Sequence, residues 1–544
     1  MSPIHSLPLD AAPQTMHLSD HSLNQLDEAY VRALDEGALR GLSLRLLEDL
    51  KEARERLRQN PHNSSRPPSS RAPWERPPTG DEAAQDEAAQ DVAADVTTSP
   101  EPPQDPLGSA DAPAPSRELA GLATPKVKRK AGKQPGAPGI GRTQVLKAHE
   151  TRHHRPTDCA ACTQPLPADA PSVAYAGFQS VDLLWGDPEQ PGLRLQVTDH
   201  RYYETPCGCG HCTRAHPGEG VVEDSTLEPV ALSEWRLVGP GLATLIVALH
   251  LRFRLSRRRM REFLHDWLGL RLSVGTLDRT LREAAAAAAP LEEELIEAVV
   301  ASDLLHVDET SWPQGVQLLW LWVLTGATAT LFVVASRGRE VLDRLLPGFG
   351  GWLMSDGWQA YRHLPQRLRC WAHLTRKAQG LIDSFDREAQ AFGRQVQTTF
   401  DTLIGAIHAA REGPPGDLPR LHAALLGELH AACVRLLGHR HAKTRALAVE
   451  LWNDWDAIFR VLENPQWPLT NNEAERALRH WVIARRIMMG TRCDAGSRTF
   501  TLLASVIETC RQRGHVPWTY LAGVIADRRA GRSAAPLPVA LPGL

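Results

Sequence analysis

Three acidic residues stand where a chain can place metal ligands. Asp308 closes the apolar run SDLLHV, Asp356 closes GWLMS, and Glu475 lies in LTNNEAERALRHWVIARR. Carboxylates are hard oxygen donors. A set of them can hold two divalent ions about 4 Å apart, one activating an attacking oxygen of a phosphodiester transfer and the other stabilising the leaving oxygen. Each acid also has an ordinary explanation, because an aspartate ending a strand is commonly a turn residue and a glutamate in a first helical turn favours the helix dipole. Glu473 competes with Glu475, but two residues apart on a helix they point about 200° away from each other. Only one can face the metals, and Glu475 is the one expected to do so.

A second ligand pattern is carried by sulfur. Five of the nine cysteines fall between Cys159 and Cys212, as Cys159-x2-Cys162 and Cys207-x-Cys209-x2-Cys212. Two short cysteine groups, separated by a strand-rich spacer, suit tetrahedral zinc better than disulfides in a reducing compartment. Cys159, Cys162, Cys209 and Cys212 are the preferred ligands, with Cys207 and His211 as competitors and unligated buried thiols as the alternative. Four protein ligands leave no open position, so scaffolding or DNA contact is the expected role. Cys370 and His373 form a further C-x2-H pair. No second pair lies nearby in sequence, and Cys370 is expected to end a buried strand.

The elements that must position these groups are legible from hydrophobic period. SDLLHVDETSW, QLLWLWVLTG and TLFVVASRG read as three strands with turns between them, followed by a helix in REVLDRLLPGF and a strand in GWLMSDGW. Three strands, a helix and a further strand match the order of a ribonuclease-H-like α/β core, with a carboxylate on the first strand beside one at the end of the fourth. The third carboxylate must then come from a later helix packed on the sheet, capped by Asn471 or Asn472. Between Asp356 and Glu475 lie 118 residues, many with helical composition. Trp312, Trp320 and Trp322 are expected as core rather than as base-stacking platforms.

The fold class expected is a multidomain α+β protein. Residues 1–60 form an N-terminal helical segment whose Leu39, Leu42, Leu46, Leu50, Ala53 and Leu57 make one apolar stripe, for self-association or for packing on its own domain. Residues 61–120 are a disordered acidic, Pro-rich linker, 121–150 a basic Gly-rich segment and 151–220 a zinc ribbon. Residues 225–300 are helical; LSRRRMREFLHDWLGLRLSVGTLDRTLREAA reads equally as a helix-turn-helix that binds DNA or as a plain helical hairpin. The catalytic domain spans 301–515, with a helical insertion at about 385–465, and 516–544 is a C-terminal tail.

Net charge of −3 hides strong segregation. Nine acids and no base lie between Asp81 and Asp111, whereas seven bases and no acid lie between Lys126 and Lys147. Local basic segments decide phosphate affinity, so the average does not exclude a nucleic-acid partner. No apolar run reaches the roughly 18 residues of a membrane span, and the start lacks the layout of a secretory signal. A cytoplasmic protein is expected.

HVDET, SRGREV, SDGWQAY, CWAHLTRK and NNEAERALR, in this order, resemble the transposases of the insertion sequence 66 family. So do the leucine-rich N-terminal helix, NSSRPPSS, GKQPGAPG, the paired cysteines and the helical segment before the acids. The resemblance covers almost the whole chain. It implies a DDE transposase whose two Mg2+ (or Mn2+) ions are held by Asp308, Asp356 and Glu475. It also places His373, Arg376 and Lys377 near the substrate phosphates. Arg476, Arg479, Arg485 and Arg486, with Arg492 and Arg498, stand in a segment with few acids and are expected in part at DNA backbone. The implied partners are element ends and target DNA, a second copy of the chain and accessory proteins, with no membrane. Ala137 stands where the family usually carries histidine, and the linker is longer and more acidic than expected. A metal nuclease or resolvase on the same fold, and a zinc-dependent DNA-binding protein with a decayed catalytic domain, are the rival readings.

Overall fold

The computed structural model describes residues 28–59 and 146–542, apart from positions 188, 190 and 415, together with Leu26, Asn63 and Gln144. The linker expected at 61–120, apart from Asn63, and most of the basic segment at 121–150 lie outside the described residues.

Helices α1 (Glu28–Ala33) and α2 (Glu36–Arg58) open the chain. Asp35 caps α2 by accepting the backbone N–H of Ala38 at 2.7 Å, satisfying one of the free donors of the first turn. Leu39, Leu46, Leu50 and Leu57 of the apolar stripe are exposed. Glu55 is the buried exception. Its carboxylate accepts from Ser384 Oγ at 2.7 Å, the Phe385 N–H at 3.1 Å and Lys443 Nζ at 3.2 Å, and His441 lies beside it. Burial alone would raise this carboxyl, yet those hydrogen bonds hold it well below the usual range.

A sheet follows, built from β1 (Glu150–His154), β2 (Val173–Trp185), β3 (Leu193–Pro206) and the short β4 (Cys212–Arg214). The long β3 lies between its parallel partner β1 and its antiparallel partner β2, and its end pairs with β4. A small antiparallel pair, β5 (Glu219–Gly220) and β6 (Leu232–Ser233), leads into the helices.

A five-stranded mixed sheet occupies the centre: β7 (Leu304–Gln314), β8 (Gln317–Thr325), β9 (Thr330–Ala335), β10 (Trp352–Ser355) and β11 (Arg367–Arg369), in the order β11-β10-β7-β8-β9. The first three form an antiparallel meander, and β10 and β11 join in parallel. The parallel step needs a crossover, which contains α7 (Arg339–Leu345). Trp312 and Trp322 are fully buried and donate to Thr491 Oγ1 and the Ser336 carbonyl. Both take the core role expected of them.

Helices α3 (Pro240–Leu251), α4 (Arg257–Leu268), α5 (Val274–Ala288) and α6 (Leu291–Val300) share one hydrophobic core with this sheet. The expected turn is present: Gly269 adopts the left-handed conformation after α4, and Ser273 caps α5. Yet α5 is not free to enter a groove. From Leu277 onward it buries Leu281 and the run Ala284–Ala288 against later helices, and Val274, Gly275 and Arg279 stay exposed. The same core runs across two of the expected boundaries. Residues 225–300 share it with the sheet, and within 516–544 α16 (Pro517–Arg529) packs on α3 and α5. Arg529 there is buried and makes a bidentate ion pair with buried Glu283 at 3.0 and 3.1 Å, with Arg236 on the same carboxylate.

A second apolar core belongs to α8 (Trp371–Ile382), α9 (Arg387–Glu412), α10 (Leu418–Leu421), α11 (Ala423–Leu436), α12 (Ala442–Asn453) and α13 (Trp455–Phe459). It is inserted between β11 and α14 (Asn472–Met488). Helix α15 (Asp494–Gln512) then returns against β9 and α5.

Candidate active site and cysteine cluster

Register brings the two aspartates together. Strand β10 pairs in parallel with β7, Met354 opposite His306. Continuing that register by two residues sets Asp356 level with Asp308. Asp356 accepts the backbone N–H of Trp358 at 2.8 Å, which fixes its carboxylate just past the strand end. Helix α14 crosses β7 and β8, burying Ala474, Leu478 and Trp481 on one face. Glu473 is exposed and paired with Arg476, while Glu475 is half-buried on the inner side.

Asn471 fixes the start of this helix in a way not foreseen. It sits at the N-cap position but makes no capping bond with its side chain. Fully buried, it donates from Nδ2 to the Val307 carbonyl at 2.8 Å and accepts from His306 Nδ1 at 3.1 Å, while its backbone N–H donates to Cys370 Sγ at 3.3 Å. One residue therefore ties α14 to the strand carrying Asp308 and to the start of α8. At the other end, Arg485 donates to Thr310 Oγ1 at 2.8 Å and Ser311 Oγ at 3.0 Å.

The three acids lie in one another's fields. Asp308 has its carboxyl pushed well above the usual range by burial first, then by the charges of Glu309, Asp356 and Glu475. Glu475 is raised by burial, against the pull of Arg376 and Arg479 and with a further push from Asp356. A pocket that concentrates negative charge away from water favours a cation, because like carboxylates cannot all ionise without one. Glu475 Oε1 and the facing His373 Nδ1 are both buried and without hydrogen-bond partners. Orphaned acceptors of that kind fit a metal centre.

Glu309, next to Asp308, escaped the sequence reading. Strand alternation turns it away from Asp308. It is buried, accepts from Tyr361 Oη at 2.5 Å and from Arg337 at 2.9 and 3.0 Å, and is pushed up to about 7, chiefly by burial and the Asp356 charge. The Arg337 guanidinium is stacked between Trp320 and Trp358, at 4.1 and 4.7 Å from their ring centres. Only the unusual pair of adjacent acids in HVDET signals it in sequence.

The expected DNA-facing cations divide. Lys377 holds both oxygens of Glu450 at 2.7 and 2.9 Å, Arg498 bridges Asp224 and Glu292, and Arg485 serves the α14 anchor. Those three have partners within the chain. Arg376 and Arg479 flank Glu475, and Arg486 and Arg492 are exposed. His373 is held neutral, lowered to about 4 by burial first and by the Arg376 charge.

In the cysteine cluster, ligand atoms of Cys159, Cys162, Cys207 and Cys209 all lie within 4.8 Å of one another. Cys212, preferred from spacing, stands outside this group, and its named competitor Cys207 takes the place. The reason is hairpin register: Cys212 is already in β4, opposite Pro206, whereas Cys207 and Cys209 lie on the intervening turn, closed by the Gly210 N–H to the Cys207 carbonyl at 2.9 Å. His211 is also absent from the group. Sulfurs of Cys159 and Cys209 are 3.7 Å apart, as are those of Cys162 and Cys207. A tetrahedral ion with bonds of about 2.3 Å sets its sulfurs about 3.8 Å apart, while a disulfide needs about 2.05 Å. The cluster thus fits a four-thiolate zinc site. Backbone N–H groups of Cys162 and Ala161 lower the Cys159 thiol to about 6, whereas neighbouring sulfurs raise Cys162 against a hydrogen bond from Gln164.

Residues 236–499 match the model described as the transposase IS66 family. That segment belongs to the IS66 transposase family. It contains Asp308, Asp356 and Glu475 and begins beyond the cysteine cluster. The chain is also similar to three uncharacterized proteins of Sinorhizobium fredii (strain NBRC 101917 / NGR234). It is 24% identical to y4qI over 284 residues, 46% of this chain and 52% of that protein. It is 29% identical to y4jO over 173 residues (31% and 50%), and 27% identical to y4hP over 300 residues (47% and 54%). The chain thus spans about half the length of these curated relatives. No helix among the described residues is long and apolar enough to cross a membrane.

Proposed function

We propose that the chain is a DNA transposase that cuts at the ends of a mobile element and joins the freed 3′-hydroxyl to target DNA, through a DDE triad of Asp308, Asp356 and Glu475 on a ribonuclease-H-like core. The observation that supports this reading is the parallel pairing of β10 on β7, which ends two residues short of both aspartates, together with the push of the Asp356 charge on Asp308, within a segment matched to a transposase family. The strand order β11-β10-β7-β8-β9, with a helical crossover, supports the fold assignment.

When bound, a pair of Mg2+ or Mn2+ ions would act as Lewis acids on the phosphodiester and lower the pKa of the attacking hydroxyl or water. Asp308 and Asp356 would hold them from the sheet, and Glu475 from α14. Asn471 keeps the helix in register with β7. Arg376 and Arg479, beside Glu475, are placed to meet phosphate oxygens of the bound strand, with Arg476, Arg486 and Arg492 on the open side. Glu309, Arg337 and Tyr361 hold the far side of β7 and fix the Asp308 backbone.

Zinc at Cys159, Cys162, Cys207 and Cys209 would be structural, since four thiolates leave no open position. The exposed leucine face of α2 is read as the contact for a second copy of the chain, because two element ends must be held together.

The test offers purified protein an oligonucleotide carrying a pre-cut element end, a plasmid target and Mg2+. Joined product is the expected result. Cleavage without joining would favour a nuclease or resolvase, and DNA binding with no metal-dependent cleavage would favour a DNA-binding protein.

A further inference from the structure

Read along the chain, Cys370 and His373 are half of a ligand set with no other half. Folding supplies it from more than a hundred residues away. Ligand atoms of Cys370, His373 and Glu475 all lie within 4.8 Å of one another, the only such group among the described residues besides the cysteine cluster. Cys370 caps the start of α8 with its thiol inward and fully buried, and His373 lies on the first turn of that helix. His373 Nδ1 stands 3.9 Å from Glu475 Oε1, too far for a hydrogen bond, and neither atom has another partner. Ligands about 2.0–2.3 Å from a tetrahedral ion stand about 3.3–3.8 Å from one another. For a nitrogen and an oxygen ligand the lower end of that range applies, so the His373–Glu475 gap needs closing by roughly half an ångström.

We propose that Cys370, His373 and Glu475 form a second, regulatory zinc site that shares Glu475 with the magnesium-binding carboxylates. The two ligand sets differ in softness. Asp308 and Asp356 offer hard oxygen suited to Mg2+, whereas a thiolate and an imidazole select Zn2+ or another borderline ion and are poor partners for Mg2+. The Glu475 oxygen that faces His373 cannot serve both at once. Zinc that takes the Cys370 thiolate, with its proton released to solvent, and His373 Nδ1 holds Glu475 Oε1 on the α8 side, so that oxygen is lost to ions on the aspartates. Three protein ligands leave a fourth position for water, as in an exchangeable site rather than a closed structural one. Zinc would then inhibit, in competition with magnesium. That inhibitory half rests on the role proposed for Glu475; the binding half does not.

Equilibrium dialysis of the full chain against micromolar Zn2+, followed by metal counting, separates the two. Wild type is expected to hold two equivalents, and Cys370→Ser and His373→Gln one each, with the cysteine cluster keeping its ion. Circular dichroism checks that each variant is folded, and His373→Gln, which removes no buried thiol, serves if Cys370→Ser misfolds. One equivalent in wild type, or two retained in both variants, overturns the site. In Mg2+-supported DNA cleavage, zinc should halve the wild-type rate at a concentration at least tenfold lower than it needs for His373→Gln, each measured against its own zinc-free rate. Equal sensitivity overturns the competition even where the second equivalent binds. If the chain cleaves no DNA, the metal count still reads the site while the transposase reading fails.

Discussion

Asp308, Asp356 and Glu475 are coupled by charge, and that coupling makes their individual removal informative. Asp308→Asn keeps the shape of the side chain and its contact with β7 but removes a negative ligand. Strand cleavage should fall below detection while binding to element ends stays within about twofold of wild type, less than 0.5 kcal/mol; cleavage at the wild-type rate would remove the residue from the mechanism. The pH dependence follows from the same coupling. Asp308 and Glu475 have raised carboxyls, so in the metal-free fold they keep protons that the unfolded chain has already lost. Stability of the metal-free protein is therefore full below the ordinary carboxylate range and declines as pH rises through it toward the folded values. A divalent ion relieves that penalty only where the protons are gone. The rise in melting temperature on adding Mg2+ should be larger at pH 8 than at pH 6, and an equal rise at both would count against these carboxylates as ligands. Among the sulfurs, Cys207→Ser should release the bound zinc and Cys212→Ser should keep it, read by metal counting after dialysis. Spacing could not decide between them, because two cysteines five apart in a hairpin exchange roles when the turn moves by a residue or two.

At the level of elements, the site depends on α14 being held at both ends. Asn471→Ala leaves the Val307 carbonyl and the His306 N–H without a partner in a buried place, a loss of about 2 kcal/mol. A lowered unfolding midpoint together with a fall in cleavage rate larger than the change in folded fraction is expected; full activity at a temperature where the variant is folded would show that the helix register is set elsewhere. Strands β7 to β10 were legible because period-two alternation and terminal acids mark them; the turn of about 100° per residue showed that only one of Glu473 and Glu475 can face inward, but not which. Asn471 was legible only as a cap. Its real contacts join residues more than 160 positions apart, and no local pattern encodes them. The apolar positions Leu521, Val524 and Ile525 of α16 were equally visible, but their destination on α3 and α5 depends on packing that single-sequence periodicity does not carry. The same limit hid the fate of α5, whose alanine run reads as good helix and proves to be the close-packed centre.

Across the whole molecule, one core joins the central sheet to the helices on both sides of it in sequence, while the insertion keeps a core of its own. Helix α2 reaches the insertion through buried Glu55 and leaves its leucines outward. Replacing Leu46 and Leu50 together by glutamate should shift the protein to a smaller species in light scattering, with a melting temperature changed by only a degree or two, since neither side chain supports the fold of one copy. An unchanged mass would exclude this face as the contact between copies.

Synthesis adds an order to this architecture. Glu283 leaves the ribosome 246 residues before Arg529, so through that stretch of elongation an acid meant for the interior has only Arg236 of its two guanidinium partners. Until α16 emerges, the alanine-lined helix α5 lacks one of its walls. A transcript cut short ahead of residue 517 would yield a chain with every proposed metal ligand and no sealed core to hold them, a substrate for proteases rather than a weak enzyme.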